Sequence, residues 1–306
     1  MDSLNIETSG IQKRNEDIMK IAILIQCHKN PKQINLLLER LNHPDIDCYL
    51  HIDKKADFTD KIIHRENVFV LPDEQRVSVE WAQISQVTAT LNLLNTAVAG
   101  IRGGYDYYWL ISGQDWPLRS VEEIVEFFMQ HNGENFIQYW SSKNFGEHIQ
   151  NNFDKRNQIY FPEGIIGRKY WQKVLKRGWV EISGGYNRTW KLFQRKQLEV
   201  DFYFGSQWWC LSEETVNWIN NYLAENPDFY DFYRSSSTPD ESFFHTLVML
   251  SPFGAKTTDN LLYQHFQKGA NSPDILTEDD LQRAKESKYL VMRKVDMNVD
   301  DSFLQI

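Results

Sequence analysis

From residue 21 onward, short apolar runs rich in β-branched and aromatic residues alternate with segments of helical periodicity. This rhythm predicts βαβ units, in which parallel strands are joined by helices that cover the sheet. The predicted strands are IAILIQC, CYLHID, NVFVLP and DYYWLIS. The sequence therefore predicts an α/β protein with a mostly parallel sheet and helices on both faces.

Three helices can be located from the residues at their ends. The first has Asn30 as N-cap and Pro31 in its first turn, and the second ends at Gly100. The third begins with Ser120 and Glu123 at the spacing of a capping box. The residues that we expect to face the core along the first two helices are Ile34, Leu37, Leu38, Leu41, Ile84, Val87, Leu91 and Leu94.

Charge and composition restrict the partners of the chain. A net charge of −9 argues against binding to nucleic acid or to an anionic membrane, because either partner needs a basic surface. The three cysteines are too few and too scattered for a disulfide framework. The first twenty residues are polar, and the apolar run after them is too short for a signal peptide or a membrane span. We expect a cytoplasmic protein that binds small molecules, with at most a peripheral membrane contact.

The chain divides into four stretches that form one integrated domain. They are a polar tail (1–20), an α/β half (21–140), an insertion (141–203) and a C-terminal half (204–306). Between residues 141 and 200, twelve Lys and Arg stand against five Asp and Glu, with ten aromatic residues interleaved. This composition fits two interpretations equally, an acceptor-binding insertion or a surface subdomain with its own small core.

In open α/β sheets, ligands bind beyond the carboxyl ends of the strands. The segments to examine therefore follow Gln26, Ile52 and Leu110, and they read QCHKN, DKK and SGQDWP. Neither the G-x-G-x-x-G fingerprint nor a P-loop follows the first strand. If this sheet binds a nucleotide, it does so by other contacts.

The sequence also bears on metal binding. Many nucleotide-sugar enzymes with this type of sheet carry a D-x-D motif just after a central strand. The early match here, Asp45-Ile46-Asp47, precedes the second predicted strand and so lies at the wrong end of the sheet. We expect a metal-independent site, and the rival hypothesis is a metal-dependent enzyme that uses Asp45-Ile46-Asp47 or Asp115.

Residues 238–250, TPDESFFHTLVML, predict a buried helix with Thr238 as N-cap and Glu241 at the third helical position. Its inward positions are Phe243, Thr246, Leu247 and Leu250. Because T-x-x-E is a capping box, the pattern alone favours Glu241 as a cap over a catalytic base. The neighbouring Asp240 points about a quarter-turn away, which disfavours the paired carboxylates of a glycosidase.

Two other segments suggest ligand contacts. In YLVMRKVDM, Arg293 and Lys294 form either a solvated face or a diphosphate site, with Arg as a fork and Lys as a point charge. In FGSQWWCLS, Trp208 and Trp209 point to opposite faces of a predicted strand. One ring then packs inward, and the other, beside Gln207, either suits a sugar or also belongs to the core.

Nine motifs run in order through nearly the whole chain: IAILIQCHKNP, YLHIDKK, VSVEW, DYYWLISGQDWPLRS, GSQWWCLS, PDESFFHT, DNLLYQHF, SPDILTEDDL and VMRKVD. In this series the chain resembles the core-2/I-branching β-1,6-N-acetylglucosaminyltransferases and the peptide O-xylosyltransferases. These enzymes form one family of inverting glycosyltransferases, glycosyltransferase family 14. The resemblance implies an A-type glycosyltransferase fold with a Rossmann-like sheet, a UDP-sugar donor and neither metal nor cofactor.

The resemblance implies a role for each matching residue. Glu241 would be the general base, and the donor diphosphate would be held by Arg293, Lys294 and Ser272. The nucleotide would meet Gln26, Asp53, Val79, Glu80 and Trp81. The donor sugar or the acceptor would meet Gln207, Trp208, Asp115 and Phe266.

Because no segment here is predicted to span a bilayer, unlike the anchored animal members of the family, we expect a bacterial-type enzyme of surface polysaccharide or glycoconjugate synthesis. It would transfer a sugar to a glycan or glycoconjugate, with UDP-N-acetylglucosamine favoured over UDP-xylose. Gln207 stands where the xylosyltransferases have aspartate, and Phe266 stands where the family usually has tryptophan. The first alternative is a peptide O-xylosyltransferase-like enzyme that uses UDP-xylose. The second is a non-catalytic protein that binds nucleotides or carbohydrates on the same scaffold.

Overall fold

The computed structural model describes residues 19–100, 104–141, 156–157, 159–162, 164–167, 169–183, 198–267 and 272–306. Within these ranges the strands are β1 (Ile21–Cys27), β2 (Ile46–Ile52), β3 (Val68–Val70), β4 (Tyr107–Ser112), β5 (Asp115–Pro117), β6 (Asn135–Ile137), β7 (Trp140–Ser141), β8 (Tyr203–Phe204), β9 (Trp209–Ser212), β10 (Thr257–Thr258), β11 (Leu262–Gln264) and β12 (Val291–Arg293).

The main sheet has the order β10-β6-β9-β4-β1-β2-β3. The pairs β1–β2, β1–β4, β2–β3 and β6–β10 are parallel, while β9 runs antiparallel to β4 and β6. Every residue of β2 and β4 is buried, so both faces of the sheet are covered. This arrangement confirms the predicted α/β class with a mostly parallel sheet. Two smaller sheets have the orders β11-β12-β5 and β7-β8.

The α-helices in the described ranges are α1 (Pro31–Arg40), α2 (Ile84–Val98), α3 (Val121–Gln130), α4 (Tyr170–Ile182), α5 (Glu213–Glu225), α6 (Pro227–Arg234), α7 (Phe243–Leu250) and α8 (Glu278–Lys285). Short 3-10 helices span Thr59–Lys61, Asp73–Gln75, Pro239–Glu241, Gly254–Lys256 and Ser302–Gln305. The longest α-helix has 15 residues, and none in this described part is long and apolar enough to cross a membrane.

The first three helices follow the sequence pattern with one exception. Ser120 and Glu123 form the predicted capping box at the start of α3. Asn30 occupies the N-cap position of α1, but its side chain makes no capping hydrogen bond. It donates instead to Asp296 at 2.8 Å, and Lys29 binds the same carboxylate at 2.6 Å. The start of α1 is therefore fixed by the far end of the chain.

The predicted core positions on α1 and α2 are largely confirmed. Six of the eight are fully buried: Ile34, Leu37, Leu38, Leu41, Val87 and Leu94. Ile84 and Leu91 are only partly buried and pack against the edge of the core. The three cysteines, Cys27, Cys48 and Cys210, are buried free thiols, and burial raises the pKa of each.

The segment predicted as one helix from Thr238 is split in two. A 3-10 turn covers Pro239–Glu241, Ser242 interrupts it, and α7 follows. Thr238 has a left-handed backbone (φ 59°, ψ 54°), and its side chain makes no capping bond. The capping-box prediction is wrong here because the Thr238 amide donates to the carbonyl of Ala82 at 3.0 Å, a long-range contact that determines the local backbone.

Part of the 141–203 stretch forms a second, smaller core. Its buried members are Ala82, Ile159, Phe161, Ile166 and Val180, and it includes the inner face of α4. Three residues of the stretch, Arg156, Lys169 and Gln172, also line the main cleft of the protein. Residues 142–155 and 184–197 of this stretch lie outside the described ranges.

Candidate active site

A cleft of about 1410 Å³ opens where β1, β2 and β4 end, at the edge of the sheet that the strand pattern indicated. Its volume exceeds that of an ordinary small-molecule pocket and leaves room for more than one small molecule. Twelve of the thirteen predicted site residues line it: Gln26, Asp53, Val79, Glu80, Trp81, Gln207, Trp208, Glu241, Phe266, Ser272, Arg293 and Lys294.

Asp115, the thirteenth, lies beneath the cleft. Its side chain has no exposed surface, and its carboxylate accepts hydrogen bonds from the amide (2.8 Å) and the hydroxyl (3.3 Å) of Ser112. Asp115 Oδ1 lies 2.5 Å from Nη1 of Arg293, its partner in the β5–β12 register. Burial raises the pKa of Asp115, and the Arg293 guanidinium opposes that rise. The predicted contact with sugar or acceptor is therefore corrected: Asp115 positions Arg293.

Arg293 is held on three sides. Besides the Asp115 carboxylate, the Ser112 hydroxyl accepts a hydrogen bond from the guanidinium. The flat face of the guanidinium lies over the Trp208 ring, with Cζ 4.1 Å from the ring centroid, a cation–π geometry. Trp209 instead packs in the core against Phe244. Both tryptophans are buried, Trp208 with 8% of its surface exposed, and Arg293 covers part of the Trp208 ring. The contact of Trp208 with a sugar stays a prediction.

Lys294 follows Arg293 directly and lines the same cleft. Its ammonium donates to the hydroxyl of Ser272 at 2.5 Å. The two cations differ in the shape of the charge they present, since Arg offers a planar fork and Lys a compact point charge. Together they can meet two negative groups of a diphosphate.

Three glutamines from distant parts of the chain form a hydrogen-bonded network of Gln26, Gln86 and Gln207. The Gln207 amide donates to Gln26 Oε1 at 3.0 Å, and the Gln86 amide donates to Gln207 Oε1 at 3.2 Å. The ends of the network are fixed by Thr90, which accepts from Gln26, and by the Ala82 amide, which donates to Gln86. Sequence reasoning missed Gln86 and Thr90, although their four-residue spacing places both on one face of α2.

Lys55, which no sequence pattern marked, links the residues that are predicted to contact the nucleotide. The Asp53 carboxylate accepts from the amide of Lys55 at 2.9 Å. The Lys55 ammonium then reaches across to the Val79 carbonyl at 2.5 Å and to the Glu80 carboxylate at 3.1 Å. Lys55 thus connects the end of β2 to the Val79–Trp81 segment, and the two segments form one wall of the cleft.

Glu241 presents a partly exposed carboxylate to the cleft. Its Oε2 lies 2.5 Å from Nη1 of Arg156, while no described residue donates a hydrogen bond to Oε1. Its backbone carbonyl accepts from the amide of Gly205 at 2.9 Å. A Cβ at Gly205 would lie 1.9 Å from the carbonyl oxygen of Gln138, so this close approach requires glycine.

Asp240 differs from its neighbour in burial. It is more than nine-tenths buried at the wall of the cleft, and among the described residues Oδ1 has no hydrogen-bond partner. Burial, together with the negative charge of Glu241, raises the pKa of Asp240 to about 8. The adjacent carboxyls therefore have different environments: burial favours the neutral form of Asp240, whereas Glu241 is paired with the Arg156 guanidinium.

The alternative metal motif lies at the other end of the sheet. Asp47 is buried near the beginning of β2 and accepts a hydrogen bond from the Tyr105 hydroxyl at 2.6 Å. Asp45 precedes that strand, and neither aspartate lines the cleft. In the described ranges, no three His, Cys, Asp or Glu side chains are grouped closely enough to hold a metal ion.

Comparisons with known proteins indicate the family of the chain. A family model described as Core-2/I-Branching enzyme matches residues 21–282. Xylosyltransferase 2 of Rattus norvegicus is 24% identical over 98% of this chain, and Xylosyltransferase oxt of Drosophila pseudoobscura pseudoobscura is 23% identical over 85%. The chain spans 34% and 29% of the lengths of these two relatives.

Among solved structures, the apo form of mouse Xyloside xylosyltransferase 1 is similar over 90% of this chain and 96% of its own. The identity is 10% and the TM-score is 0.38.

Proposed function

Because the chain belongs to the Core-2/I-Branching enzyme family, we propose that it is an inverting, metal-independent glycosyltransferase that moves a sugar from a UDP-sugar to an acceptor hydroxyl. One observation carries the proposal: the cleft brings together a carboxylate, Glu241, and two adjacent cations, Arg293 and Lys294. These are the groups that a base-assisted displacement of a diphosphate requires. The names of the curated relatives, which are xylosyltransferases, support transfer of a sugar.

The reaction is a single displacement. The acceptor oxygen transfers its proton to Glu241 while it attacks the anomeric carbon, and the bond from that carbon to UDP breaks. The electron pair of the broken bond leaves with the diphosphate, and the configuration of the anomeric carbon is inverted. Arg293 and Lys294 stabilise the charge that develops on UDP, and loss of one such donor costs roughly 3 kcal/mol in comparable sites.

Arg156, from the 141–203 insertion, contacts the proposed catalytic base. The Arg156 guanidinium binds Oε2 of Glu241 and so fixes the carboxylate, while Oε1 stays available to take the proton of the acceptor hydroxyl. The lining residues Lys169 and Gln172 come from the same stretch, which supports a contribution of this stretch to acceptor binding. The acceptor class, a glycan or glycoconjugate, stays a prediction.

Two donors are candidates. UDP-N-acetylglucosamine is the donor implied by the core-2/I-branching resemblance, whereas the names of the curated relatives favour UDP-xylose. Thermal shift with a series of UDP-sugars separates them, because a ligand at 100 times its dissociation constant adds about 2.7 kcal/mol of stability. The donor that raises the melting temperature most at equal concentration is the one we expect to be transferred.

The activity itself is tested with Glu241→Gln. We expect this variant to lose transfer while it still binds UDP, and the exposed Glu122→Gln on α3 serves as a matched control with wild-type activity. Full transfer by Glu241→Gln would refute the assignment of the base. If the wild type binds UDP but releases none from any UDP-sugar with acceptor present, the chain is a binding protein. Loss of activity in EDTA with recovery in manganese would refute metal independence.

A further inference from the structure

Helix α4 presents a stripe of apolar side chains to solvent. Its members are Tyr170, Trp171, Val174, Leu175 and Ile182, with exposed fractions from 50% at Leu175 to 83% at Tyr170. At about 100° per residue, these positions fall within a sector of roughly 140° on one side of the helix. Scattered exposed apolar residues are ordinary, but a contiguous stripe on one helix marks an interaction surface.

The orientation of α4 is fixed by contacts on its opposite side. Val180 belongs to the second core, and Trp179 packs against that core and donates to the Tyr160 carbonyl at 2.6 Å. The Lys176 ammonium donates to the Ser237 hydroxyl at 2.9 Å. Gln172 donates to the Gly164 carbonyl at 3.0 Å. The apolar stripe is therefore the outer face of a helix whose inner face is already packed.

Basic residues accompany the stripe. Lys173 and Arg177 are exposed along one edge, and the exposed Lys169 precedes the first turn. Because the Lys176 ammonium points inward to Ser237, the exposed cations are Lys169, Lys173 and Arg177 against the single exposed acid Glu181, a local charge of +2 on a chain whose net charge is −9. The local charge of this helix is therefore opposite in sign to the net charge of the chain, and it complements an anionic surface.

We propose that α4 binds the surface of an anionic lipid bilayer and lies in the plane of the interface. The apolar stripe would enter the boundary between headgroups and acyl chains, where Tyr and Trp rings are favoured. Lys173 and Arg177 would meet the anionic headgroups. With 13 residues the helix is about 20 Å long, shorter than the hydrocarbon core, so it lies on the bilayer and does not span it.

The charges favour a lipid surface over a second copy of the chain. A two-fold contact through this stripe would place the same patch of both copies together, and with it both sets of Lys173 and Arg177. Like charges at such a contact disfavour association. A lipid surface with anionic headgroups offers the opposite charge, and the apolar stripe needs no shape-matched partner there.

The position of α4 places the proposed membrane contact beside the cleft. Lys169 and Gln172, at the start of the helix, line the cleft. A bilayer against the outer face would border the mouth of the cleft, so an acceptor carried by a lipid would be presented close to Glu241. This last step rests on the proposed function, whereas the membrane contact itself does not.

The test is flotation of the full chain with vesicles, in the absence of any donor. We expect the wild type to bind mixed phosphatidylglycerol and phosphatidylcholine vesicles at low salt, to bind pure phosphatidylcholine vesicles weakly, and to dissociate as salt is raised. Trp171→Ser with Leu175→Ser should lower partition at least about tenfold, because two exposed anchors lose their apolar area. Lys173→Gln with Arg177→Gln should lower it about fivefold per charge.

The matched control is Met129→Ser with Val299→Ser, which removes two exposed apolar side chains elsewhere on the surface and should leave partition unchanged. All variants should retain the wild-type circular dichroism spectrum and UDP binding, which separates loss of the contact from loss of the fold. Absence of binding to anionic vesicles at low salt overturns the proposal. So does self-association of the wild type in light scattering that is abolished by the Trp171 and Leu175 substitutions, because the stripe would then be an interface between copies.

Discussion

Replacement of Asp115 with asparagine tests how the cleft holds Arg293. The substitution keeps the shape of the side chain and removes its charge, which leaves the guanidinium 2.5 Å from a neutral group. Asp115 is fully buried, and the Arg293 side chain is only 11% exposed. Breaking a buried ion pair costs about 3 to 5 kcal/mol. Because Trp208 and Ser112 still contact the guanidinium, we expect the lower end, about 3 kcal/mol.

A double-mutant cycle isolates the charge pair. Arg293→Met leaves the Asp115 carboxyl buried without its cation. Burial already raises the pKa of this carboxyl above its ordinary 3.8, so in this variant the folded state holds a proton that the unfolded state releases. The variant should therefore lose stability progressively as pH rises above about 4. Together, Asp115→Asn and Arg293→Met remove both charges, and a buried pair replaced by neutral groups is often neutral in stability.

The assay is urea unfolding followed by tryptophan fluorescence, with comparison of midpoints at constant slope. At neutral pH we expect the free energy of unfolding of the double variant to lie within about 1 kcal/mol of the wild-type value. This loss is much smaller than the sum of the losses of the two single variants. In the Arg293→Met background, Asp115→Asn should have no further effect on UDP binding. A loss below about 1 kcal/mol for Asp115→Asn alone, or simple additivity in the cycle, would refute the reasoning.

Three other substitutions probe the rest of the cleft. The wild type should lose stability as pH rises from about 4 to about 8, because the folded state retains the Asp240 proton, with pKa about 8 against an ordinary 3.8. Asp240→Asn should remove this fall. A free energy of unfolding that depends on pH in the variant as it does in the wild type would contradict the prediction. Gly205→Ala should displace the carbonyl of Glu241 or of Gln138, because a Cβ would lie 1.9 Å from the latter, and a variant with wild-type transfer and melting temperature would contradict it. Gln207→Leu should destabilise the fold by about 1 to 3 kcal/mol in urea unfolding, because two amide groups lose their partner; a cost near zero would show that the glutamine network is solvated.

The sequence predicted features whose cause is local. The capping box of Ser120 and Glu123 forms because its residues are three apart and belong to one helix turn. Thr238 and Glu241 have the same spacing, yet no box forms, since the Thr238 amide is bound to the carbonyl of Ala82. Two identical local patterns thus have different outcomes, and the difference lies in a contact 156 positions away.

The same distinction between local and long-range causes applies to the residues of the cleft. The strand-end rule located Gln26 and Asp53, because it depends only on where strands stop, and the family motifs located the other ten predicted residues that line the cleft. Arg156 was missed, since it is one of many cations in a stretch without periodicity and contacts Glu241 85 positions later. Asp115 was misplaced because a residue just after a strand resembles a loop, whereas its pairing with β12 buries it.

The contacts of β12 also fix the order in which the cleft can form during synthesis. Arg293 joins Asp115 across 178 positions, and Asp296 joins Lys29 across 267. As the chain leaves the ribosome, β1, which carries Gln26, and β2, which Asp53 follows directly, are complete long before these partners exist. A nascent chain can therefore pair β1, β2, β3 and β4 early, but Arg293 and Lys294 reach the cleft only when β12 docks.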